Sequence, residues 1–423
     1  MKPALLKTLA IVLIGTLAFL LGWHLLHGGW ENLKEDWTGK YRHRPLPTRA
    51  PLALGPDGNY WGVASNSEEM PGYLYKMKPD GSEWKRVHTF LYDASPPFGI
   101  HPVGGLVSDG VDSLLGVIYG ISFPTDYGSL YKINATTGVL TTLVRFSGTT
   151  GPHLGSYPDA TLAPAGMGDF WGSTKKGGTK DVGTLFKFHP ATSVLTTIAE
   201  FPDSPVTYAG THAPNDALVN DGNGSWWGTN CCSGAERCGN VFKVNATNGE
   251  LTTVAKFTKG TGGSSPMGSL VSDGAGFLWG TCTQGGKGYG TIFKVNATTG
   301  ALTTVVEFTG RGAGIPGGGP YAALVSDGHG FLWGCTYGAG SGDVGTLFKV
   351  DIASGALTTL VEFDLKQAHH KGYYPNAPLV SDGHGAFLGT TQRGGKKNAG
   401  TIFKIDIATG VLTTLVEFGK VGP

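Results

Sequence analysis

The chain repeats itself seven times. A Gly preceded by Trp or Leu recurs at Gly62, Gly116, Gly172, Gly228, Gly280, Gly334 and Gly389. Each unit closes on a Phe: Phe90, Phe146, Phe201, Phe257, Phe308, Phe363 and Phe418. Successive closing Phe residues lie 56, 55, 56, 51, 55 and 55 positions apart. A fixed period of this length means a propeller, a solenoid or an array, in which each unit buries its apolar faces on its neighbours. Gly makes up 70 of 423 residues, far above the usual ~7%, but without the Gly-X-Y period of collagen. Many β-branched residues and no long amphipathic helix pattern point to an all-β fold rich in tight turns.

Unit six displays the grammar. Residues 320–327, Pro-Tyr-Ala-Ala-Leu-Val-Ser-Asp, read as one strand. Asp327-Gly-His-Gly330 is a tight turn, because Gly accepts positive φ. Phe331 to Cys335 and Thr346 to Val350 form two more strands around a Gly-rich loop, and Ala356 to Phe363 forms the fourth. Four short antiparallel strands make one blade, and the pattern predicts a seven-bladed β-propeller over residues 51–423. Blades begin near residues 51, 103, 159, 215, 267, 321 and 376. A β-solenoid is the competing architecture, although its repeats are shorter. Every unit runs in the same order, so no strand is exchanged between the first and last blades. Closure then rests on face packing of blade one against blade seven, or on a strand from the preceding linker.

The unit PxAxLVSDGxGFLWGTTxxGG…GTxFKVxxxTGxLTTLVEF resembles the GloVer tandem repeat of bacterial extracytoplasmic proteins, over about residues 51–418. These are known as choice-of-anchor proteins, since the same repeats occur with different membrane or surface anchors. Asp273-Gly-Ala-Gly-Phe-Leu-Trp-Gly-Thr281 is similar, more weakly, to two-component-regulator propeller repeats. The resemblance implies a propeller and an exported location. It implies no particular activity.

Residues 9–26, LAIVLIGTLAFLLGWHLL, follow Lys2 and Lys7. This is the pattern of a signal anchor or signal peptide helix, near the ~20 residues that span a bilayer. No small-x-small motif follows it, which favours an uncleaved anchor within residues 1–30. Residues 31–50 are polar and contain Pro, as a linker does. The propeller is then expected on the periplasmic or extracellular side, attached to the membrane, or secreted if the helix is cleaved. Lys plus Arg number 32 against 31 for Asp plus Glu, which argues against an electrostatic nucleic-acid binder. Cys231, Cys232 and Cys238 crowd into one loop without a CxxC pair. In an oxidising compartment, one of the vicinal pair joined to Cys238 is the expected disulfide.

Seven internal copies separate scaffold from site. Features shared by all blades serve what every blade needs. The Gly after Trp reads as close backbone approach. The third-strand Lys (Lys76, Lys132, Lys187, Lys243, Lys294, Lys349, Lys404) reads as a stem packed on the blade with its head in water. The repeated turn Asp reads as turn chemistry rather than calcium ligation. The Asn-Ala-Thr sequons at Asn134, Asn245 and Asn296 read as hairpin chemistry, because Asp351 and Asp406 hold the same position.

The divergent segments follow the Trp-Gly strand and the closing Phe, and both emerge on one face around the central funnel. Residues flanking the Pro that opens each inner strand are expected to ring its mouth. Before that Pro stand His101, Tyr157, Ala213, Ser265, Gly319 and Tyr374; after it stand Val103, Asp159, Asn215, Met267, Tyr321 and Asn376. His101, Tyr157, Asp159, Tyr321 and Tyr374 are the candidate ligand-binding residues, for a glycan, a small polar ligand or a protein partner. No GxSxG elbow, HExxH helix or dinucleotide fingerprint occurs, so no catalytic residues, metal site or cofactor are expected. The expected role is a binding or interaction scaffold of the cell envelope. An exported hydrolase, lyase or cyclase with its site in the funnel is the alternative.

Overall fold

The computed structural model describes residues 46–47 and 50–419, apart from 66–71, 92–100, 121–125, 203–213, 215, 232–237, 259–261, 313 and 368–370. The apolar 9–26 segment, Asn215, Cys232 and His369-His370 therefore lie outside the described residues. Among those described, no helix is long and apolar enough to cross a membrane. Seven antiparallel sheets follow one another along the chain, one per repeat, each a four-stranded blade whose inner strand is split in two in four of them. The fold is a seven-bladed β-propeller.

The shared residues explain the blade. In blade five, Phe277–Gln284 is the second strand and Thr291–Asn296 the third. Their register sets Gly280 opposite Phe293. The Phe293 ring lies over Gly280 so closely that a Cβ there would meet it at 2.5 Å. The same ring-on-glycine contact recurs in all seven blades, with Tyr75, Tyr131, Phe186, Phe242, Phe348 and Phe403 as the other rings. That is why the residue after Trp must be Gly.

The closing Phe then locks each ring from the preceding blade. Phe257 meets Phe293 at 4.9 Å, Phe146 meets Phe186 at 5.4 Å, and Phe90 meets Tyr131 at 5.6 Å. Around these pairs, a separate apolar core fills each of the seven interfaces between adjacent blades. Ring closure uses the same contact. Phe418 of blade seven packs on Tyr75 of blade one at 5.4 Å, and on Trp84 at 5.9 Å. Among the described residues no strand is exchanged between blades. Leu46–Pro47, read from sequence as linker, pairs with Ala64–Ser65 and so belongs to blade one.

The turn Asp does more than shape its turn. Oδ1 of Asp273 accepts from the N–H groups of Ala275 (2.8 Å) and Phe277 (3.0 Å), and Oδ2 accepts from the Trp279 indole (3.0 Å). Asp57, Asp221 and Asp327 hold Trp61, Trp227 and Trp333 in the same way. The third-strand Lys lies over these aromatic rings instead of reaching only into water. Lys294 Nζ sits 4.8 Å from the Phe277 ring centre and 5.2 Å from that of Trp279. Unit three has Ala165-Gly166 in its turn, and there Asp169 moves in to pair with Lys187 at 2.6 Å. The sequon Asn residues cap their hairpins: Asn296 Oδ1 accepts from Thr298 (2.9 Å) and Thr299 (2.8 Å). Asp406 does the same for Thr409 at 2.8 Å.

The innermost strands depart from the sequence reading. Residues 320–327 were expected to be one strand, but only Val325–Ser326 pairs as such in blade six. Blade three shows the reason. Pro158 faces Thr174 and Ala163 faces Trp171, so four residues, 159–162, stand against two, 172–173. The surplus leaves the ladder and bulges toward the propeller axis. Equivalent bulges interrupt the inner strands of blades two, five and seven.

Candidate functional site

These bulges build the wall of a central cavity of ≈ 230 Å³. The residue after the opening Pro lines it in five blades: Val103, Asp159, Met267, Tyr321 and Asn376. Two of the five candidate binding residues, Asp159 and Tyr321, thus line the wall. His101, Tyr157 and Tyr374 occupy the position before Pro and are not among its lining residues.

That position has a backbone task. Tyr157, Ser265 and Tyr374 have φ of 57°, 57° and 59°, a left-handed conformation that side chains rarely adopt. In this conformation the amide reaches across to the preceding blade: Tyr157 donates to Tyr127 O, Ser265 to Cys238 O and Tyr374 to Val344 O, each at 2.9 Å. The tyrosine rings also stack on that blade. Tyr157 lies 4.9 Å from Tyr119, and Tyr374 lies 4.7 Å from Tyr337. Tyr337 in turn meets Tyr321 edge-on at 5.6 Å. Burial, with the neighbouring Tyr337 and Tyr373, pushes the Tyr374 phenol up to about 12.

The polar groups of the wall are unevenly placed. Lys175, at the end of the second strand of blade three, forms an ion pair with Asp159. Burial works against the Lys175 ammonium, but Asp159 outweighs it and holds the ammonium charged. Asp216 stands in blade four, three residues before its inner strand Val219–Asn220. Its Oδ1 accepts from Ala217 N–H at 2.8 Å and its Oδ2 from Ser269 N–H of blade five at 3.2 Å. Burial raises the Asp216 carboxyl above its ordinary range, against those hydrogen bonds, and Asp159 adds to the rise. Asn376 is 4% exposed, and its Oδ1 has no hydrogen-bond partner.

Sequence reasoning missed Asp216 and Lys175, although the repeat held the signal. The second residue after Pro is Gly104, Ala160, Gly268, Ala322 and Ala377 in other blades, and Asp216 in blade four. One carboxylate among small residues marks a position freed from the common packing. The disulfide expectation involves Cys232, outside the described residues. Of the other members of that cluster, Cys231 is half-buried and Cys238 buried. Cys282 and Cys335 are buried thiols in no disulfide; burial pushes Cys335 up to about 12.

Several solved propellers share the fold. The GH74 xyloglucanase from Xanthomonas campestris superposes with a TM-score of 0.58 at 12% identity, over 88% of this chain and 54% of that one. A puromycin hydrolase gives 0.54 at 14%, over 90% and 55%. An oligogalacturonate lyase solved with manganese gives 0.51 at 13%, over 88% and 90%. The chain spans about half the length of the first two, and at these identities the likeness carries the fold alone. A search of curated proteins finds no match. The Gloeobacter/Verrucomicrobia repeat model matches residues 42–211, 153–318 and 213–422, and the chain belongs to that repeat family.

Proposed function

We propose that this protein is an extracytoplasmic propeller, anchored through its apolar 9–26 segment, that binds a small polar ligand or glycan in its central cavity. It serves as a binding module of the cell envelope. The observation that carries the reading is the convergence of Asp159, Lys175, Asp216, Tyr321 and Asn376, from three repeat positions in four blades, on one cavity. Groups that a scaffold does not need are gathered where one molecule touches them all. At ≈ 230 Å³ the cavity lies below the ~300–1,000 Å³ of drug-sized sites, so it suits one small molecule or the tip of a chain. Metabolite thermal-shift and glycan-array screens of the full chain test the binding. A blank result in both, with the protein folded, ends the proposal. Membrane fractionation with N-terminal sequencing tests the anchor: a mature chain starting after residue 26 means secretion.

One observation favours a catalytic reading. Asp216 is raised by burial while Asp159 is paired with Lys175, and carboxyls in contrasting environments can divide acid and base roles. Consumption of a bound glycoside in that screen, lost in Asp216→Asn, supports the enzyme over the binding module.

A further inference from the structure

The cavity wall has more acceptors than cations. Asp159 and Asp216 are its carboxyls, and Lys175 is its one cation among the described residues. Lys175 is already engaged by Asp159. Asp216 has backbone N–H donors at 2.8 and 3.2 Å and the Ser269 side chain as a further donor, but no ion pair among the described residues. The charged group that acts on it is Asp159 of the adjacent blade three; Lys175 lines the same cavity and is paired with Asp159. Asn376, a nine-tenths buried amide on the same wall, has an orphaned Oδ1. A half-buried carboxylate without a counter-ion and a buried carbonyl without a donor both destabilise the empty site. A ligand with a positive charge and several N–H donors relieves both.

We infer that the cavity takes a ligand bearing a protonated amine on a body about the size of one sugar ring, with Asp216 as the counter-ion and Asn376 as a hydrogen-bond acceptor. This rests on the reading of the cavity as the binding site. A neutral polyol satisfies Asn376 but leaves Asp216 without a cation. An anion adds a third negative charge to the wall. The Tyr321 ring supplies an apolar face for the ligand body, and a ring face also attracts an ammonium.

Glucosamine, glucose and glucuronate share one ring and differ in charge, so they test the inference directly. Titration calorimetry on the full chain at about pH 6, where the amine is protonated, compares the three. Glucosamine is expected to bind at least about tenfold tighter than glucose, with no binding of glucuronate. Glucose binding as tightly as glucosamine overturns the ammonium but leaves the cavity as a binding site. A preference for glucuronate overturns it in favour of Lys175. Failure of all three overturns the inference; the binding reading falls only if the broad screens are blank too. Asp216→Asn should abolish the preference for glucosamine over glucose. If that variant does not fold, Asn376→Ala gives a second test: weaker glucosamine binding with an undiminished melting temperature. Wild-type glucosamine affinity in folded Asn376→Ala and Asp216→Asn overturns the assignment of both residues.

Discussion

The two faces of this propeller solve different problems with the same residue types. On the hairpin face an Asp opens the first turn of nearly every blade. Burial opposes ionisation of Asp57, Asp221 and Asp382, yet Lys, Trp and backbone donors outweigh it and hold all three below the ordinary 3.8. On the funnel face, Asp216 has two backbone donors and a second carboxyl nearby, and it is raised. The hairpin-face carboxyls are offset by their donors, whereas the funnel face keeps a raised carboxyl at Asp216, an orphaned amide oxygen at Asn376 and Tyr157 and Tyr374 at positive φ. Unsatisfied groups and strain gather at functional sites because the surrounding scaffold sustains them. The contrast supports the proposed site more sharply than loop length does, since parts of the funnel-face loops repeat as well. Glu200, Glu362 and Glu417 each accept a hydrogen bond from the loop after the second strand, at 2.7, 2.6 and 3.0 Å.

The largest test of this contrast removes a scaffold ring. Trp279 is fully buried, and Trp279→Ala should lower unfolding free energy by about 3–5 kcal/mol. Chemical denaturation reads the loss, and ligand affinity of the folded fraction should stay at the wild-type value. Asp273→Ala removes two turn bonds and the indole bond, for an expected loss of about 2 kcal/mol. An Asp273 variant that is stable but cannot bind would reverse the assignment of the faces.

The pH dependence should split the same way. Carboxyls with depressed folded values contribute stability above their ordinary range and lose it as pH falls through the lower folded values. Asp57, Asp221 and Asp382 therefore make the protein acid-labile below 3.8. Asp216 has the opposite sign: its folded value is raised, so the empty protein loses stability as pH climbs from the ordinary value through the raised one. Asp216→Asn should remove that decline while keeping the acid limb, as measured by melting temperature against pH.

A smaller effect lies inside blade five. Buried hydroxyl pairs link the second and third strands at Thr174–Thr184, Thr336–Thr346 and Thr391–Thr401, each at 2.9 Å. In blade five Cys282 stands opposite Thr291, so that hydroxyl has only a weak thiol partner. Cys282→Thr should stabilise by about 1 kcal/mol, visible as a higher melting temperature with unchanged binding. Smallest in stability is Tyr321→Ala, which should cost at most about 1 kcal/mol from its edge-on pair while weakening ligand binding. Tyr374→Ala tests the neighbouring position. The ring stacks on Tyr337, so a stability loss of the same order is expected there, contrary to a purely ligand-facing role.

The repeat determined the blade count, the strand order, the shared turns and the close approach at Gly280 and its equivalents. These are consequences of local chemistry repeated seven times, so each copy confirms the others. The sequence placed both residues flanking the opening Pro at the funnel mouth; the one after Pro lines the cavity in five blades, and the one before it does not. Ring closure was legible only as two alternatives, face packing or a linker strand, and the residues that make it were not. Phe418 meets Tyr75 across more than 340 positions of chain, and only the curvature accumulated over seven blades brings them together. Asp216, Lys175 and the orphaned Asn376 belong to the same class. Each is unremarked in its own blade, and its environment is created by side chains from other blades converging on one axis. Desolvation and charge pairing depend on that convergence, and so only the closed ring decided which polar residues form the site.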